Sequence, residues 1–213
     1  MHRCQGRPMG FYDKHVLPRL IHLVCGLKPN MRQREKVVPL AKGRVLEIGA
    51  GSGLNLAYFD AGKVTHLFAL DPSVEAWAIA EDRARGMAFT VDFVEATAES
   101  IPLDPESVDT VLITYSLCTI PEPEQAVAEM RRVLRKGGEL VFCEHGLAPD
   151  PPIRKWQDRI NPIWRPLAGG CNLNRDIPSI INAGGFQIRN MDTMYLPGPK
   201  PMTFNYWGVA SAA

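Results

Sequence analysis

Residues 45–56 read VLEIGAGSGLNL, an apolar run broken by one acid, Glu47, that then dissolves into alternating glycines at positions 49, 51 and 53. The apolar part has the character of a buried strand. Glycines placed directly after such a strand and ahead of a helix let backbone approach a ligand closely, with helix N–H groups turned toward it. A dinucleotide turn requires G-x-G-x-x-G; counted from Gly49 the third position is Leu54, and the spacing here is G-x-G-x-G. A carboxylate at the strand end would also repel a pyrophosphate. Glu47 therefore points to a ligand that carries a cationic group.

Outward from this stretch the pattern alternates between short β-branched runs and longer helical segments, the signature of a parallel sheet with crossover helices. Strands are expected at 44 to 48, 65 to 70, 89 to 94, 108 to 114 and 139 to 144, with helices near 53 to 60, 73 to 85 and 122 to 135. The last helix ends in RKGG, which predicts cations at its C-terminus and a glycine cap. After the fifth strand a segment rich in Pro, Trp and Arg, about 146 to 178, reads as an irregular insertion at the carboxyl edge of the sheet, where substrate-shaping segments sit. A short helix over DIPSIINAGG follows it. FQIRN and TFNYWGVA then read as two closing strands in an antiparallel edge hairpin. The expected fold is α/β: a doubly wound, seven-stranded, mostly parallel sheet over 43 to 213, preceded by helical cap segments over 1 to 42.

A chain of 213 residues supports one sizeable core, and a formal net charge of +1 leaves no electrostatic footprint for nucleic acid. The five cysteines are spread widely, with no Cys-x-x-Cys pair and no His at metal spacing, so local spacing predicts a reduced cytoplasmic protein without a metal site. No apolar stretch reaches the roughly 20 residues needed to span a bilayer. The opening MHRCQGRP is polar. Behind it MGFYDKHVLPRLIHLVCGLKP spaces its apolar residues as an amphipathic helix bent or restarted at Pro18, with His15 and His22 on one face. Such a helix can close a pocket as a lid or rest on a membrane surface, and both uses fit. MRQREKVVPLAKG reads as a short basic helix leading into the domain.

Two further elements complete a ligand seat. Asp71 stands at the tip of the second strand, in LFALDPS, where a carboxylate accepts both hydroxyls of a ribose. EATAESIPL places Thr97, Ala98 and Glu99 on a loop that would flank an adenine ring. The glycine loop with its leading acid, the acidic strand tip, ATAESIPL and the stretch VDTVLITYSLCTIPEPEQAVAEMRRVLRKGGELVF together resemble the class I S-adenosylmethionine-dependent methyltransferases over about residues 44 to 144. That resemblance implies a Rossmann-like methyltransferase fold and S-adenosylmethionine as cofactor, with S-adenosylhomocysteine as product. It assigns Glu47, Gly49, Gly51 and Gly53 to the methionine end, Asp71 to the ribose and Thr97, Ala98 and Glu99 to the adenine. Ala50, Asn55, Pro72, Ser73 and Thr114 complete the expected cofactor set.

Downstream, SLCTIPEPEQ, FCEHGLA, the tryptophans of IRKWQDRINPIWRPLAGGCNLNRDI and the terminal YWGVA resemble the methyltransferase-like group whose animal members methylate small alkyl thiols. Transfer from a sulfonium is an in-line displacement, so alignment and exclusion of water are the main tasks. His145 is the expected proton acceptor or orienting group, Glu144 the residue that would fix its tautomer, and Tyr115 the shaper of the acceptor cavity. The acceptor expected is a small molecule, with a thiol first; a phospholipid head-group nitrogen, a quinone carbon and a non-catalytic cofactor-binding module are the other readings. Peripheral membrane contact through the front helix is compatible with all of them.

Overall fold

The computed structural model describes residues 17–212. The polar opening, His15 and the first half of the front helix lie outside the described residues. A helix, α1 (Leu17–Cys25), is followed by α2 (Lys28–Val37), which delivers the chain to β1 (Gly43–Ile48). β2 (Val64–Leu70), β3 (Thr90–Val94), β4 (Val108–Thr114) and β5 (Leu134–His145) follow, with α3 (Val74–Trp77), α4 (Glu81–Arg85) and α5 (Pro123–Val133) between them. Then come α6 (Pro151–Leu167), α7 (Ile177–Ala183), β6 (Phe186–Tyr195), α8 (Lys200–Thr203) and β7 (Phe204–Ala212).

The strands form one seven-stranded sheet in the order β3-β2-β1-β4-β5-β7-β6. Strands β1 to β5 are parallel, and β7 runs antiparallel to both β5 and β6, which is the closing hairpin read from the sequence. All seven residues of β4 are buried, as a central parallel strand covered on both faces requires. Two apolar clusters cover the faces, one around Phe142, Met130 and Ile181, the other around Leu67, Trp77 and Val141. Strand order reverses between β1 and β4, so a crevice opens at their carboxyl ends.

Three expected elements differ. The helix at 53 to 60 shrinks to one 3-10 turn, Leu56–Tyr58: Gly53, its expected first residue, holds φ +67°, outside helical backbone, and the chain returns to extended backbone at Phe59. The helix at 73 to 85 splits into α3 and α4. Trp77 stacks on Phe93 at 5.1 Å, and the chain tightens there through Ile79 N–H to Ala76 and Ala80 N–H to Trp77. The RKGG stretch is not a helix cap: α5 ends at Val133, and Arg135 to Gly138 belong to the start of β5, where Gly137 takes φ +76°.

The insertion is largely regular as well. α6 is a 17-residue helix that carries Pro162 and Pro166 within it. Apolar residues at 153, 156, 160, 163, 164 and 167 hold helical spacing, and the prolines mask that periodicity. Buried Gln157 fastens the helix: its Nε2 donates to the carbonyls of Gly146, Leu173 and Pro201, and its Oε1 accepts from the Ala148 amide at 3.0 Å.

Candidate active site

A cavity of about 660 Å³ lies over the crevice between β1 and β4. Its floor is the glycine loop, whose first residues are tied to the neighbouring strand: the Gly49 and Ala50 amides both donate to the Leu70 carbonyl, at 2.8 and 3.0 Å. Register explains the fit, since Ile48 pairs with Leu70 and the loop leaves β1 at the level where β2 ends. Gly49 is required sterically as well as by its φ, because a Cβ there would meet Ser116 Oγ at 2.1 Å. Gly51 turns open backbone to the cavity. Gly53, expected with them, faces Ala80 and Leu56, which a Cβ would meet at 2.6 and 2.8 Å; it is a packing glycine and does not line the cavity.

Asp71 occupies the cavity wall as the sequence suggests. Its Oδ2 accepts the Gly51 amide and its Oδ1 the Ser73 amide, each at 2.8 Å. Burial raises its pKa in spite of those two bonds. Pro72 and Ser73 follow along the wall, and Ser73, rather than Asp71, caps α3 by accepting from Ala76 N–H. Thr97, Ala98 and Glu99 line the far end, where the Glu99 carbonyl is held by Gln125 Nε2 at 3.0 Å.

Glu47 and Asn55 correct the expectation that they face the ligand. Both are buried one layer behind the loop, where Glu47 Oε1 accepts from Asn55 Nδ2 at 2.7 Å. Asn55 also donates to Thr114 Oγ1 at 2.9 Å, and Arg34 from α2 donates to Asn55 Oδ1 at 2.7 Å and Thr114 Oγ1 at 2.6 Å. Burial pushes the Glu47 carboxyl up to about 7, opposed by the Asn55 bond and the Arg34 charge. Its Oε2 has no hydrogen-bond partner among the described residues. Thr114 and Arg34 reach the cavity; Glu47 acts on it through them. Sequence reasoning does not find Arg34, which in its local pattern is one cation of a basic helix. Nothing in its local pattern marks it as 5% exposed. On α1, His22 Nδ1 lies 2.6 Å from Ser52 Oγ of the glycine loop, so that helix sits across the cavity.

A second cavity of about 650 Å³ adjoins the first. The two share Ile21 and Cys25 from α1 and Tyr115 and Thr119 from the turn after β4. Tyr115 holds φ +53°, its hydroxyl donates to Asn205 Oδ1 at 2.8 Å, and Arg34 lies over its ring at 5.1 Å. His145 lines this second cavity from the end of β5. Glu144 does not orient it. Neighbouring residues on a strand face opposite sides, and Glu144 Oε1 accepts the Ser116 and Leu117 amides at 2.8 and 3.0 Å. Burial pushes its carboxyl up to about 7 despite those bonds.

The partner of His145 is Cys171, whose Sγ lies 3.2 Å from Nε2 and also accepts from Trp164 Nε1 at 3.3 Å. The Cys171 thiol is drawn well below its ordinary range, first by hydrogen bonding from Cys118 and then, against burial, by His145 and Trp164. Cys118 is pushed up by the same bond and by burial. Local spacing gave no sign of this group. The fold brings the ligand atoms of Cys118, His145 and Cys171 within 4.8 Å of one another from three separate segments.

A family profile described as a methyltransferase domain matches residues 46–142. Human thiol S-methyltransferase TMT1A is 31% identical over 75% of this chain and 66% of its own length. The demethylmenaquinone methyltransferase of Clavibacter sepedonicus is 35% identical over 57% of this chain and 49% of its own. Among solved structures, a geranyl diphosphate methyltransferase in complex with SAM superposes with a TM-score of 0.67 at 15% identity, over 98% of this chain and 93% of that one. With this sheet order, glycine loop and acidic strand tip, the chain belongs to the class I S-adenosylmethionine-dependent methyltransferases. It spans about half to two thirds of the length of the curated relatives it matches.

The residues present fit S-adenosylmethionine. An ionised carboxylate offers about four acceptor positions. Asp71 uses two of them on backbone amides, which leaves one on each oxygen for a pair of vicinal hydroxyls. Apart from its own chain neighbours, Gly51 has no protein atom closer than 3.9 Å to where a Cβ would stand, so a ligand can lie against its backbone. No described helix is long and apolar enough to cross a membrane.

Proposed function

We propose that this chain transfers the methyl group of S-adenosylmethionine to a small-molecule acceptor whose reacting atom is the sulfur of a thiol. The observation that carries the reading is the pair of adjoining cavities. One has the Asp71 carboxylate and glycine loop of a donor seat, and the other has mostly apolar walls with His145 and Cys171 on them. When bound, the cofactor supplies a methyl group on a cationic sulfur. Asp71 holds the ribose, the loop at Gly49 and Gly51 takes the methionine end, and Thr97 to Glu99 flank the base. Glu47, Asn55, Thr114 and Arg34 brace that loop from behind. Tyr115 stands between donor and acceptor and sets the line of approach, which is the main requirement for an in-line displacement. The apolar wall keeps water away from a thiolate, whose meeting with a sulfonium removes charge and is favoured in a dry site. His145 orients the acceptor or takes its proton. The relatives named for thiol S-methylation support the choice of sulfur.

A lipid-borne acceptor is the second reading. Leu20, Leu23 and Val24 on α1, Leu27 just ahead of α2, and Ile163 and Leu167 on α6 are exposed, and Leu20, Val24, Leu27 and Leu167 also line the second cavity. An apolar rim of this kind suits a membrane surface, where a quinone or phospholipid would enter. The deciding experiment is a turnover screen that detects S-adenosylhomocysteine with grouped thiols, amines, phenols and lipid vesicles. Product with thiols in the absence of vesicles supports the first reading, and product that requires vesicles supports the second. Cofactor binding without product in any group would overturn the enzyme reading and leave a binding module.

A further inference from the structure

We propose that Cys118, His145 and Cys171 form a zinc site whose open fourth position faces the second cavity and takes the acceptor's sulfur. The second half of this proposal rests on the thiol reading above; the first half does not.

The geometry is that of a set already gathered. The three ligand atoms lie within 4.8 Å of one another, and His145 Nε2 and Cys171 Sγ are 3.2 Å apart. Around a tetrahedral zinc, with bonds of about 2.0 to 2.3 Å, neighbouring ligand atoms stand roughly 3.5 to 3.8 Å apart, so shifts of less than about 1 Å would close this set on an ion. The two cysteine-bearing turns are fastened to each other rather than merely adjacent. The Asn172 amide donates to the Cys118 carbonyl at 3.0 Å and its side-chain Nδ2 donates to the same oxygen at 2.9 Å. His145 is fixed from a third direction by its strand, in register with Asn205 of β7. Trp164 Nε1 donates to Cys171 Sγ at 3.3 Å, the outer-layer donor that a metal-bound thiolate commonly receives.

The donor set selects the ion. Two sulfurs and an imidazole suit a borderline-soft divalent metal such as zinc, and no carboxylate joins the group to favour magnesium or calcium. Three protein ligands with an open position are the pattern of catalytic rather than structural zinc. All three residues and Trp164 line the second cavity, so the open position has a route to solvent. A thiol that binds there gives up its proton to water at the cavity mouth as the sulfur–zinc bond forms. Its lone pair then forms the new S–CH3 bond while the donor's S–CH3 bond breaks, with that electron pair remaining on S-adenosylhomocysteine. The neutral thioether is a weak ligand and leaves. In this arrangement His145 holds the metal and need not take the proton itself.

The test is metal content of the full chain purified with a phosphine reductant, exposed to zinc chloride and freed of excess by gel filtration. The expected result is about one zinc per chain, falling to background in Cys171→Ser and in His145→Ala. Both variants should keep the far-ultraviolet dichroism and the thermal shift with S-adenosylmethionine, which confirms that they are folded and that the donor site is intact. Background zinc in the wild-type chain would overturn the site. Cobalt substitution then examines the fourth position: a thiolate-to-cobalt absorption should appear in the near ultraviolet and change when 2-mercaptoethanol is added. A cobalt spectrum insensitive to the thiol would overturn the acceptor's place on the metal and leave the site itself standing.

Discussion

Asp71 and Gly51 are joined across the floor of the first cavity: the Asp71 Oδ2 atom accepts the Gly51 amide at 2.8 Å. One carboxylate thus shapes the glycine loop and offers its remaining acceptor positions to the ligand. A hydrogen bond to a charged group contributes about 1.5 to 3 kcal/mol. Asp71→Ala should therefore weaken S-adenosylmethionine binding roughly 10- to 100-fold or more by isothermal titration. Asp71→Asn should fall between the two, because it still accepts through one oxygen. Unchanged affinity in Asp71→Ala would place the ribose elsewhere.

Gly49 admits no side chain. Its φ is +68° and a Cβ would stand 2.1 Å from Ser116 Oγ, so Gly49→Ala must displace either the loop or the turn that carries Tyr115. Loss of cofactor-induced thermal stabilisation is expected, with a cost to the free chain on the order of 1–3 kcal/mol. Gly53→Ala meets Ala80 Cβ at 2.6 Å and should lower the melting temperature more than it lowers affinity measured on the folded fraction. Equal effects of the two substitutions on affinity would contradict the division between a ligand-facing and a packing glycine.

Glu47 makes stability fall with pH. Burial raises its pKa from 4.5 to about 7, so the folded state holds a proton that the unfolded chain releases earlier. Its contribution is complete below pH 4.5 and is lost as pH rises through about 7, on the order of 3 kcal/mol across that window. Denaturant midpoints for Glu47→Gln should decline less between pH 5 and pH 8 than those of the wild-type chain. Net positive charge brought by the cofactor favours the ionised carboxylate beside Arg34 and Asp71, so its affinity should rise through the same window with release of protons. Parallel denaturation profiles for the two proteins would show that Glu47 does not titrate in this range.

The parts of the site that a strand and its following turn determine were readable in sequence. Gly49, Gly51, Asp71 and the Thr97 loop sit where the ends of parallel strands must be, and their spacing along the chain carries that information. A strand-end acid such as Glu47 reads alike in sequence whether it points into a cavity or behind it; burial beside Asn55 and Arg34 decides between the two. The Cys118–His145–Cys171 group was invisible because its members are 27 and 26 residues apart and meet only when β5 and the turn after α6 are packed. α6 itself was hidden by four prolines, two of which stand in the first turn, where a missing N–H costs little.

His22 links the front helix to the glycine loop through a 2.6 Å contact with Ser52 Oγ, and Ile21 and Cys25 beside it wall both cavities. Exit of either ligand on that side therefore requires α1 to lift. A side-chain hydrogen bond contributes about 1 kcal/mol, which corresponds to roughly a fivefold change in rate if the bond breaks before release. His22→Ala should speed S-adenosylhomocysteine dissociation by about that factor in stopped-flow fluorescence. Its melting temperature should barely move, since His22 is partly exposed and lies outside both apolar clusters. A dissociation rate equal to that of the wild-type chain would show that α1 packs beside the site without closing it.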